Sequence, residues 1–410
     1  MNMKNRLFPN DLRIEDTSSS PSQPTNPSLP PLSIPRANRI GFIGDSNTHN
    51  TGRDNIEIMK PVWPAIMGIM SNMRAYIGLN AAVSGYTTKT ALDIQVAKVI
   101  ADNPSKCIVM IGTNDIGLKG TGINFPNDSK SNIAQIADRL VAANIEPIFM
   151  TVYPITQGSV LGGNVVEDVH NKVNLFNQFL KSFCLKRGYQ CYDTYGLLVE
   201  PSTGNMNPTS PDGVHTGTFL SHWVAEYVVQ RLASKLPAWN PQLCESNSDP
   251  TTLLTNPLFI TDTNTDGIPD GWTKNGTSFT TRIDPGVAVH GKWATFFANS
   301  YQASGTSLSQ TITSGFSSGD KIAIGGKIKA KVGNKDGSKY SCKITFNGAS
   351  TDLYSPMYEF LCSIEGTFYQ EYTVPSNTTS ITVDIGVASG IGTFQFGQMT
   401  VRNLTALGAI

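Results

Sequence analysis

The sequence predicts an α/β domain followed by an antiparallel β-sandwich. Residues 37–237 alternate between short apolar runs, typical of buried strands, and segments with the period of amphipathic helices. Residues 252–410 show the two-residue alternation of strands buried on one face. The 410 residues are 39% hydrophobic and 15% charged, which is enough for more than one packed core.

Charge and cysteine usage exclude several classes of protein. The 31 Lys and Arg residues balance 31 Asp and Glu residues, so a dedicated nucleic-acid binder, which needs a basic face, is disfavoured. No apolar run reaches the roughly 18 residues of a membrane-spanning helix, so we expect no membrane insertion. The six cysteines form no CxxC pair, which argues against a disulfide framework or a zinc site.

The N-terminal segment predicts an arm rather than a folded unit. Residues 17–36 contain six Pro and six Ser, a composition typical of extended linkers. Residues 1–16 are too short to fold alone and lack the apolar stretch of a secretory signal. We therefore expect residues 1–36 to be disordered. The localisation stays unknown, with virion association, an extracellular state reached after release and a cytoplasmic or non-classically exported bacterial enzyme as the alternatives.

The α/β domain is expected to span residues 37–240. Strands are predicted at 39–44, 106–112, 145–152 and 189–195, and apolar stripes at helical spacing lie between and after them. Such alternation implies right-handed βαβ units and a parallel sheet with helices on both faces.

Three polar segments follow or flank these strands. They are Gly44–Asn47, Gly112–Asp115 and Asp212–His215. Open α/β folds place their sites beyond the carboxyl ends of parallel strands, so these segments are expected to meet there.

The residue types in these segments suit acyl transfer. Ser46 is the candidate nucleophile, His215 its base, and Asp212 the carboxylate that orients the imidazole. The oxyanion needs donors, for which the Ser46 N–H, the Asn114 amide and Gly85, in a loop after the second strand, are the candidates. No run of metal ligands lies in this half, so we expect an acyl-enzyme hydrolysed by water without a catalytic cofactor.

The order of these blocks resembles the SGNH, or GDSL-type, hydrolase family. The resemblance covers about residues 37–237 and implies a flavodoxin-like α/β/α fold with esterase, acylhydrolase or carbohydrate deacetylase activity. It also implies the roles given above for Ser46, Gly85, Asn114, His215 and Asp212. The chain departs from the family pattern after the nucleophile, where Asn47–Asn50 replaces a small or Gly-rich stretch, and this affects the expected shape of the acyl pocket.

The C-terminal half is predicted to be a β-sandwich of jelly-roll type over residues 252–410. Ile381, Val383, Ile385 and Val387 alternate with polar residues. Residues 256–272 resemble the start of jelly-roll carbohydrate-binding modules, and Trp272 and Trp293 are candidates to stack on sugar rings. Either tryptophan could instead belong to the core.

One loop of this half has a metal-binding pattern. Asp262, Asn264 and Asp266 alternate before Gly267, and Asp270 follows, as in the opening of an EF-hand loop. The twelfth position is Thr273 rather than Glu, and no flanking helices are predicted. A structural calcium site and a metal-free turn both remain open.

The leading hypothesis is a serine esterase that removes acetyl or other short acyl groups from a polysaccharide held by the β-sandwich. A lipase or general acylhydrolase is the enzymatic alternative. A non-enzymatic glycan-binding adhesin, or a bacteriophage tail protein, is the alternative from another class. A virion or further copies of the chain would be its partners in that case.

Overall fold

The structure is a computed structural model that describes residues 33–49, 63–117, 124–161, 163–287, 289–332, 338–349, 357–360 and 363–409. The predicted arm lies outside this part, apart from its last residues. No helix in these ranges has the length and hydropathy needed to cross a bilayer.

A five-stranded parallel sheet forms the centre of the first half. The first seven strands are β1 (Arg39–Gly44), β2 (Tyr76–Asn80), β3 (Lys106–Met110), β4 (Glu146–Met150), β5 (Val160–Leu161), β6 (Asn164–Val165) and β7 (Gln190–Tyr192). The sheet has the order β2-β1-β3-β4-β7, and all its pairs are parallel, while β5 and β6 form a separate hairpin. The strand order reverses between β1 and β3, where open sheets place their sites.

Helices cover both faces of this sheet. They are α1 (Trp63–Met70), α2 (Thr88–Thr90), a π-helical segment (Ala91–Gln95), α3 (Val96–Asp102), α4 (Thr113–Gly117), α5 (Asn127–Ala142), α6 (Val169–Arg187), α7 (Thr194–Leu198) and α8 (Gly217–Leu232). Residues of α1 and α8 share one apolar core, and residues of α3, α5 and α6 share the other. The flavodoxin-like α/β/α architecture is therefore confirmed.

The second half is antiparallel throughout its described pairs. Its strands are β8 (Thr273–Asn275), β9 (Thr280–Pro285), β10 (Lys292–Gln302), β11 (Thr306–Ile312), β12 (Lys321–Val332), β13 (Ser338–Asn347), β14 (Met357–Phe360), β15 (Ile364–Thr373) and β16 (Ser380–Asn403). The first part of β16 pairs with β11 and β13, and the second part pairs with β10 and β12. Gly390 and Gly392 lie between these parts with positive φ, which lets the sheet curl into two layers.

The two halves pack together at the amino-terminal edge of the parallel sheet. The Gly366 Cα in β15 lies so close to α1 that a Cβ there would be 2.2 Å from the Ile69 carbonyl oxygen. Thr367 Oγ1 donates to Asn72 Oδ1 at 2.9 Å, and the Tyr369 ring packs against Tyr76 at the start of β2. The apolar core on the α1 side consequently continues into the β-sandwich.

The end of the predicted arm is also part of this contact. Ile34 is buried, and its backbone N–H donates to Glu371 Oε1 of β15 at 3.1 Å. Arg36 donates to the Asn144 carbonyl at 2.7 Å. The prediction of disorder is therefore wrong for residues 33–36, because an apolar side chain and two hydrogen bonds fix them to the folded protein.

Candidate active site

The nucleophile turn leaves β1 at its carboxyl end. Asp45 Oδ1 accepts the Asn47 N–H at 3.0 Å, and the Asp45 carbonyl accepts the N–H groups of Thr48 and His49. These bonds fold the chain back over Gly44, where a Cβ would lie 2.7 Å from the Thr48 side chain. Glycine is needed at this close approach, and the turn places Ser46, half-buried, at the edge of the sheet.

A hydrogen-bonded relay joins the three residues predicted to act in acyl transfer. His215 Nε2 lies 2.8 Å from Ser46 Oγ, and His215 Nδ1 lies 2.6 Å from Asp212 Oδ2. With Nδ1–H donating to the carboxylate, Nε2 is the acceptor for the serine hydroxyl. This arrangement can take a proton from Ser46 and return it to a leaving group.

The loop that carries Asp212 and His215 is built by its own hydrogen bonds. Asp212 Oδ1 accepts the backbone N–H groups of Val214 and His215 at 2.9 and 2.8 Å. Ser210 Oγ accepts the Gly213 N–H and donates to the His215 carbonyl. One carboxylate oxygen thus shapes the loop, and the other is left for the imidazole.

The relay is open to solvent. The side chains of His215 and Asp212 are 41% and 49% exposed. The pKa of Asp212 is lowered: burial acts to raise it, but the hydrogen bonds from the His215 ring and from the loop N–H groups outweigh this. Asp212 is therefore ionised at neutral pH and can stabilise an imidazolium.

The candidate oxyanion donors come from two neighbouring loops. Asn114 is buried in α4, and its Nδ2 donates one hydrogen to the Tyr86 carbonyl at 2.9 Å, which leaves the second amide hydrogen for another acceptor. Gly85 has a φ of +80°, and no atom of the described residues lies within 4 Å of the position that a Cβ would take. The Val83 N–H, two residues earlier, donates to the Gly44 carbonyl, which ties the Gly85 loop to the strand before Ser46.

Two buried carboxyls flank the relay. Burial raises the pKa of Asp45 to about 6, although hydrogen bonds with the Asn47 N–H and the Thr113 side chain act to lower it. Burial also raises the pKa of Asp115, which accepts hydrogen bonds from Thr88 and Ser129. Asp115 thus ties α4 to α2 and α5.

Sequence reasoning missed three polar residues of this region. Gln95 is buried and hydrogen-bonded to Gly44 on both sides of its amide. Ser210 hydrogen-bonds within the loop that carries His215. Tyr153 is buried near Asp45: burial raises the pKa of Tyr153 most, and the charge of Asp45 raises it further. Gln95 gave a signal, because it falls on the apolar helical stripe with Ala91, Leu92, Val96 and Val99.

The acidic loop of the second half directs most of its carboxylate oxygens to its own N–H and hydroxyl groups, while the buried Asp262 Oδ1 has no hydrogen-bond partner among the described residues. Asp270 accepts the Thr263 N–H and hydroxyl, Asp266 accepts the Ile268 N–H and the Asn264 amide, and Asp262 accepts the Gly267 N–H. Over the ranges that the structure covers, no group of three or more His, Cys, Asp or Glu side chains is placed to share a metal ion. Calcium binding by this loop stays a prediction.

The two tryptophans predicted to stack on sugars are core residues. Trp272 is 6% exposed and packs edge-on against Phe259 at 5.3 Å between ring centroids, and Trp293 is 4% exposed. Their faces contact protein rather than solvent, so we correct the glycan-binding interpretation of both residues. The two-residue pattern did not distinguish a core tryptophan from a surface one at these positions.

Comparisons with known proteins find similarity in the α/β part. Residues 42–218 match the GDSL-like lipase/acylhydrolase family model. A GDSL-like lipase from Bacteroides thetaiotaomicron is 21% identical, with 50% of this chain and 91% of that chain covered and a TM-score of 0.41. A catalytic mutant of the acetylxylan esterase Axe2 from Geobacillus stearothermophilus is 17% identical over 47% of this chain and 93% of that chain, with a TM-score of 0.38.

A phage protein is also among the similar structures. The enzymatically active domain of tailspike protein 4 from bacteriophage CBA120 is 12% identical over 37% of this chain and 21% of that chain, with a TM-score of 0.29. No curated protein matches this chain. The matched residues include the Gly44–Asn47, Gly112–Asp115 and Asp212–His215 blocks, in agreement with the resemblance that these blocks predicted.

Proposed function

We propose that this chain, whose residues 42–218 match the GDSL-like lipase/acylhydrolase family model, hydrolyses carboxylic esters through an acyl-enzyme on Ser46. The observation that carries the proposal is the relay from Ser46 Oγ through His215 to Asp212, with distances of 2.8 and 2.6 Å. Each neighbouring pair in it lies within hydrogen-bond reach, as nucleophilic catalysis by a serine requires.

The steps follow from this geometry. Ser46 Oγ attacks the ester carbonyl while His215 Nε2 takes the hydroxyl proton, and Asp212 stabilises the imidazolium. The Asn114 amide and the N–H groups of Ser46 and Gly85 are the proposed donors to the oxyanion. The tetrahedral intermediate expels the alcohol, which receives the proton from His215. Water then attacks the acyl-enzyme with His215 again as base, and the acid and free Ser46 are released.

As the substrate we propose a polysaccharide that carries acetyl or other short acyl groups. The open position of the relay supports this, because His215 and Asp212, at 41% and 49% exposure, leave room for a bulky polar alcohol. The β-sandwich packs at the opposite edge of the parallel sheet, about 20 Å away over the six residues of β1. We therefore propose that the groups that recognise the ester belong to the α/β half.

A preference for longer acyl chains is the second candidate, and one surface favours it. Val160 and Val165 face each other across the β5–β6 hairpin and are 58% and 55% exposed. Leu161 of the hairpin packs against Gly117 of α4. Just before the hairpin, the Thr156 N–H donates to the Gly213 carbonyl at 2.8 Å. This apolar pair thus lies between the Asn114 helix and the His215 loop.

Hydrolysis of p-nitrophenyl esters from acetate to octanoate, and acetate release from an O-acetylated polysaccharide, test these proposals. We expect Ser46→Ala to remove both activities. Ser105→Ala is the matched control, because that hydroxyl lies at the opposite edge of the sheet, where it donates to the Ala37 carbonyl. Activity that persists in Ser46→Ala would disprove the nucleophile, and faster cleavage of octanoate than acetate would favour the second candidate.

A further inference from the structure

We propose that Gln95 is a positioning residue that sets the place of the nucleophile turn relative to the oxyanion donors. The inference rests on the proposed function and concerns the geometry of the same site. Gln95 does not touch the relay of Ser46, His215 and Asp212. It acts through Gly44, which directly precedes Asp45 and Ser46 in the chain.

Two hydrogen bonds, which together we call the bracket, join the Gln95 side chain to the backbone N–H and carbonyl of Gly44. Gln95 is fully buried, at 0% exposure. Its Nε2 donates to the Gly44 carbonyl at 2.8 Å, and its Oε1 accepts the Gly44 N–H at 3.0 Å. The Gly44 carbonyl also accepts the Val83 N–H at 3.2 Å, so the Gln95 amide gives it a second hydrogen bond. The Gly44 N–H depends on Gln95 for its acceptor, and an unpaired buried N–H is costly.

The bracket takes the place of the hydrogen bonds that Gly44 would make with β2 if that strand were longer. The carbonyls of Phe42 and Gly44 face β2, because they accept the N–H groups of Ala81 and Val83 at 3.0 and 3.2 Å. The N–H and C=O of one strand residue point to the same side, so the Gly44 N–H faces β2 as well. Because β2 ends at Asn80, Gln95 supplies the acceptor that a longer neighbouring strand would have provided.

The segment that carries Gln95 is anchored at its other end to the Asn114 block. Thr88, which begins α2, donates its backbone N–H to Asp115 Oδ2 at 2.9 Å, and Asp115 directly follows Asn114. The chain from Thr88 to Gln95 therefore connects Asn114 to Gly44. Its last five residues, Ala91–Gln95, form a π-helical turn, a wider conformation that is frequent at functional sites.

Loss of the bracket should harm the chemical step more than binding. A misplacement of about 1 Å in a reacting group can cost about a hundredfold in rate. We therefore expect Gln95→Met, which keeps the volume and removes both hydrogen bonds, to lower kcat for p-nitrophenyl acetate by about 10- to 100-fold with KM changed by less than about threefold.

Gln95→Glu separates the hydrogen bonds from the shape of the side chain. A neutral carboxyl donates its O–H to the Gly44 carbonyl and accepts the Gly44 N–H, so both bonds are kept. An ionised carboxyl has no donor and repels the carbonyl. We expect kcat of Gln95→Glu, divided by that of the wild type, to fall about tenfold or more from about pH 5 to about pH 8. The ratio for Gln95→Met should stay low throughout.

Gln310→Glu is the matched control in the β-sandwich. Gln310 Oε1 accepts the Thr255 N–H at 2.7 Å, and its Nε2 donates to the Thr255 carbonyl at 2.9 Å. The same isosteric change there should lower stability as pH rises but leave kcat of the folded protein as in the wild type. An equal pH-dependent loss of kcat in both variants would overturn the proposal, because it would show a general effect of instability.

Hydrogen exchange of the 39–49 peptide gives a readout that needs no substrate. Faster exchange at Gly44 is expected in Gln95→Met at every pH, and in Gln95→Glu only at high pH. Wild-type kcat and wild-type exchange in Gln95→Met would disprove the positioning role. A wild type inert toward every ester would instead disprove the proposed function, while the exchange data would still decide whether Gln95 holds Gly44.

Discussion

Two acidic, glycine-containing loops of this chain look alike in sequence and differ in what their carboxylates contact. In the α/β half, Asp212 gives one oxygen to the N–H groups of its own loop and the other to the His215 ring. In the β-sandwich, Asp270 gives both oxygens to Thr263. The two loops thus differ in one carboxylate oxygen. In the first loop this oxygen accepts a hydrogen bond from His215, the residue that contacts Ser46.

The comparison shows how loop composition relates to function. Asp and Gly in a loop predict a turn, since carboxylates readily accept nearby N–H groups. A functional site needs, in addition, an oxygen that the turn does not use and a partner from elsewhere in the chain. The block after β1 supplies such a partner, Ser46, for His215. The hydrogen bonds described for the carboxylates of Asp262, Asp266 and Asp270 all stay within residues 262–270.

Removing the charge from each loop gives the largest contrast. We expect Asp212→Asn to lower kcat about 10³- to 10⁴-fold, because an amide favours the wrong imidazole tautomer and cannot stabilise the imidazolium. Asp270→Asn should leave kcat within about twofold. Steady-state kinetics with p-nitrophenyl acetate measure both. A small effect of Asp212→Asn, or a large one of Asp270→Asn, would break the comparison.

The tryptophans give the next largest effect, and it should appear in stability. Trp272→Ala empties a buried site against Phe259, so we expect it to lower the free energy of unfolding by about 3–5 kcal/mol without changing kcat. Tyr301→Ala, at an aromatic that is 50% exposed, should change it by less than about 0.5 kcal/mol. Urea unfolding measures both, and loss of glycan binding in a stable Trp272→Ala protein would contradict the core assignment.

The smallest expected effect is the pH dependence of stability caused by buried carboxyls. Burial raises the pKa of Asp45 to about 6, so its contribution to stability is fully present below about pH 4 and is lost as pH rises through about 6. The loss amounts to at most about 3 kcal/mol. Asp45→Asn should therefore gain stability relative to the wild type between those pH values.

Asp384 in the β-sandwich sharpens this test. Burial raises its pKa too, against a hydrogen bond from Ser307 and the charge of Lys343. Asp384→Asn should also gain stability relative to the wild type as pH rises, but by a smaller amount, because Asp384 is less buried than Asp45. The measurement is the free energy of unfolding of each protein across the pH range. A difference between the wild type and Asp45→Asn that does not change with pH would contradict the predicted contribution of Asp45.

The fold and the relay were predictable because each depends on local patterns. The apolar run at Arg39–Gly44 is β1 with the same bounds, and Ile381, Val383, Ile385 and Val387 are all buried. The run at 189–195 is longer than β7, since Asp193 accepts the Gly196 N–H and starts α7. Period and turn chemistry decide such elements, and strand ends then bring Ser46 and His215 together.

Long-range contacts explain what the sequence did not predict. Gln95 meets Gly44 only because β2 ends early. Trp272 is buried because the chain around Asn256 folds over its ring, and the Trp272 Nε1–H donates to the Asn256 carbonyl. The placement of the β-sandwich at the amino-terminal edge depends on Gly366 and Tyr369 meeting α1 and β2. The helical stripe marks Gln95 as a buried position, but no periodic or motif-like signal indicates the partner residue in any of these contacts.

The close approach of Gly366 to Ile69 has a consequence for how the molecule responds to heat. The apolar core on the α1 side runs without interruption into the β-sandwich, so neither half can melt without exposing the face that it shares with the other. A calorimetric scan of the full chain should accordingly show one heat-absorption peak rather than two, with the α/β half and the β-sandwich behaving as a single cooperative unit.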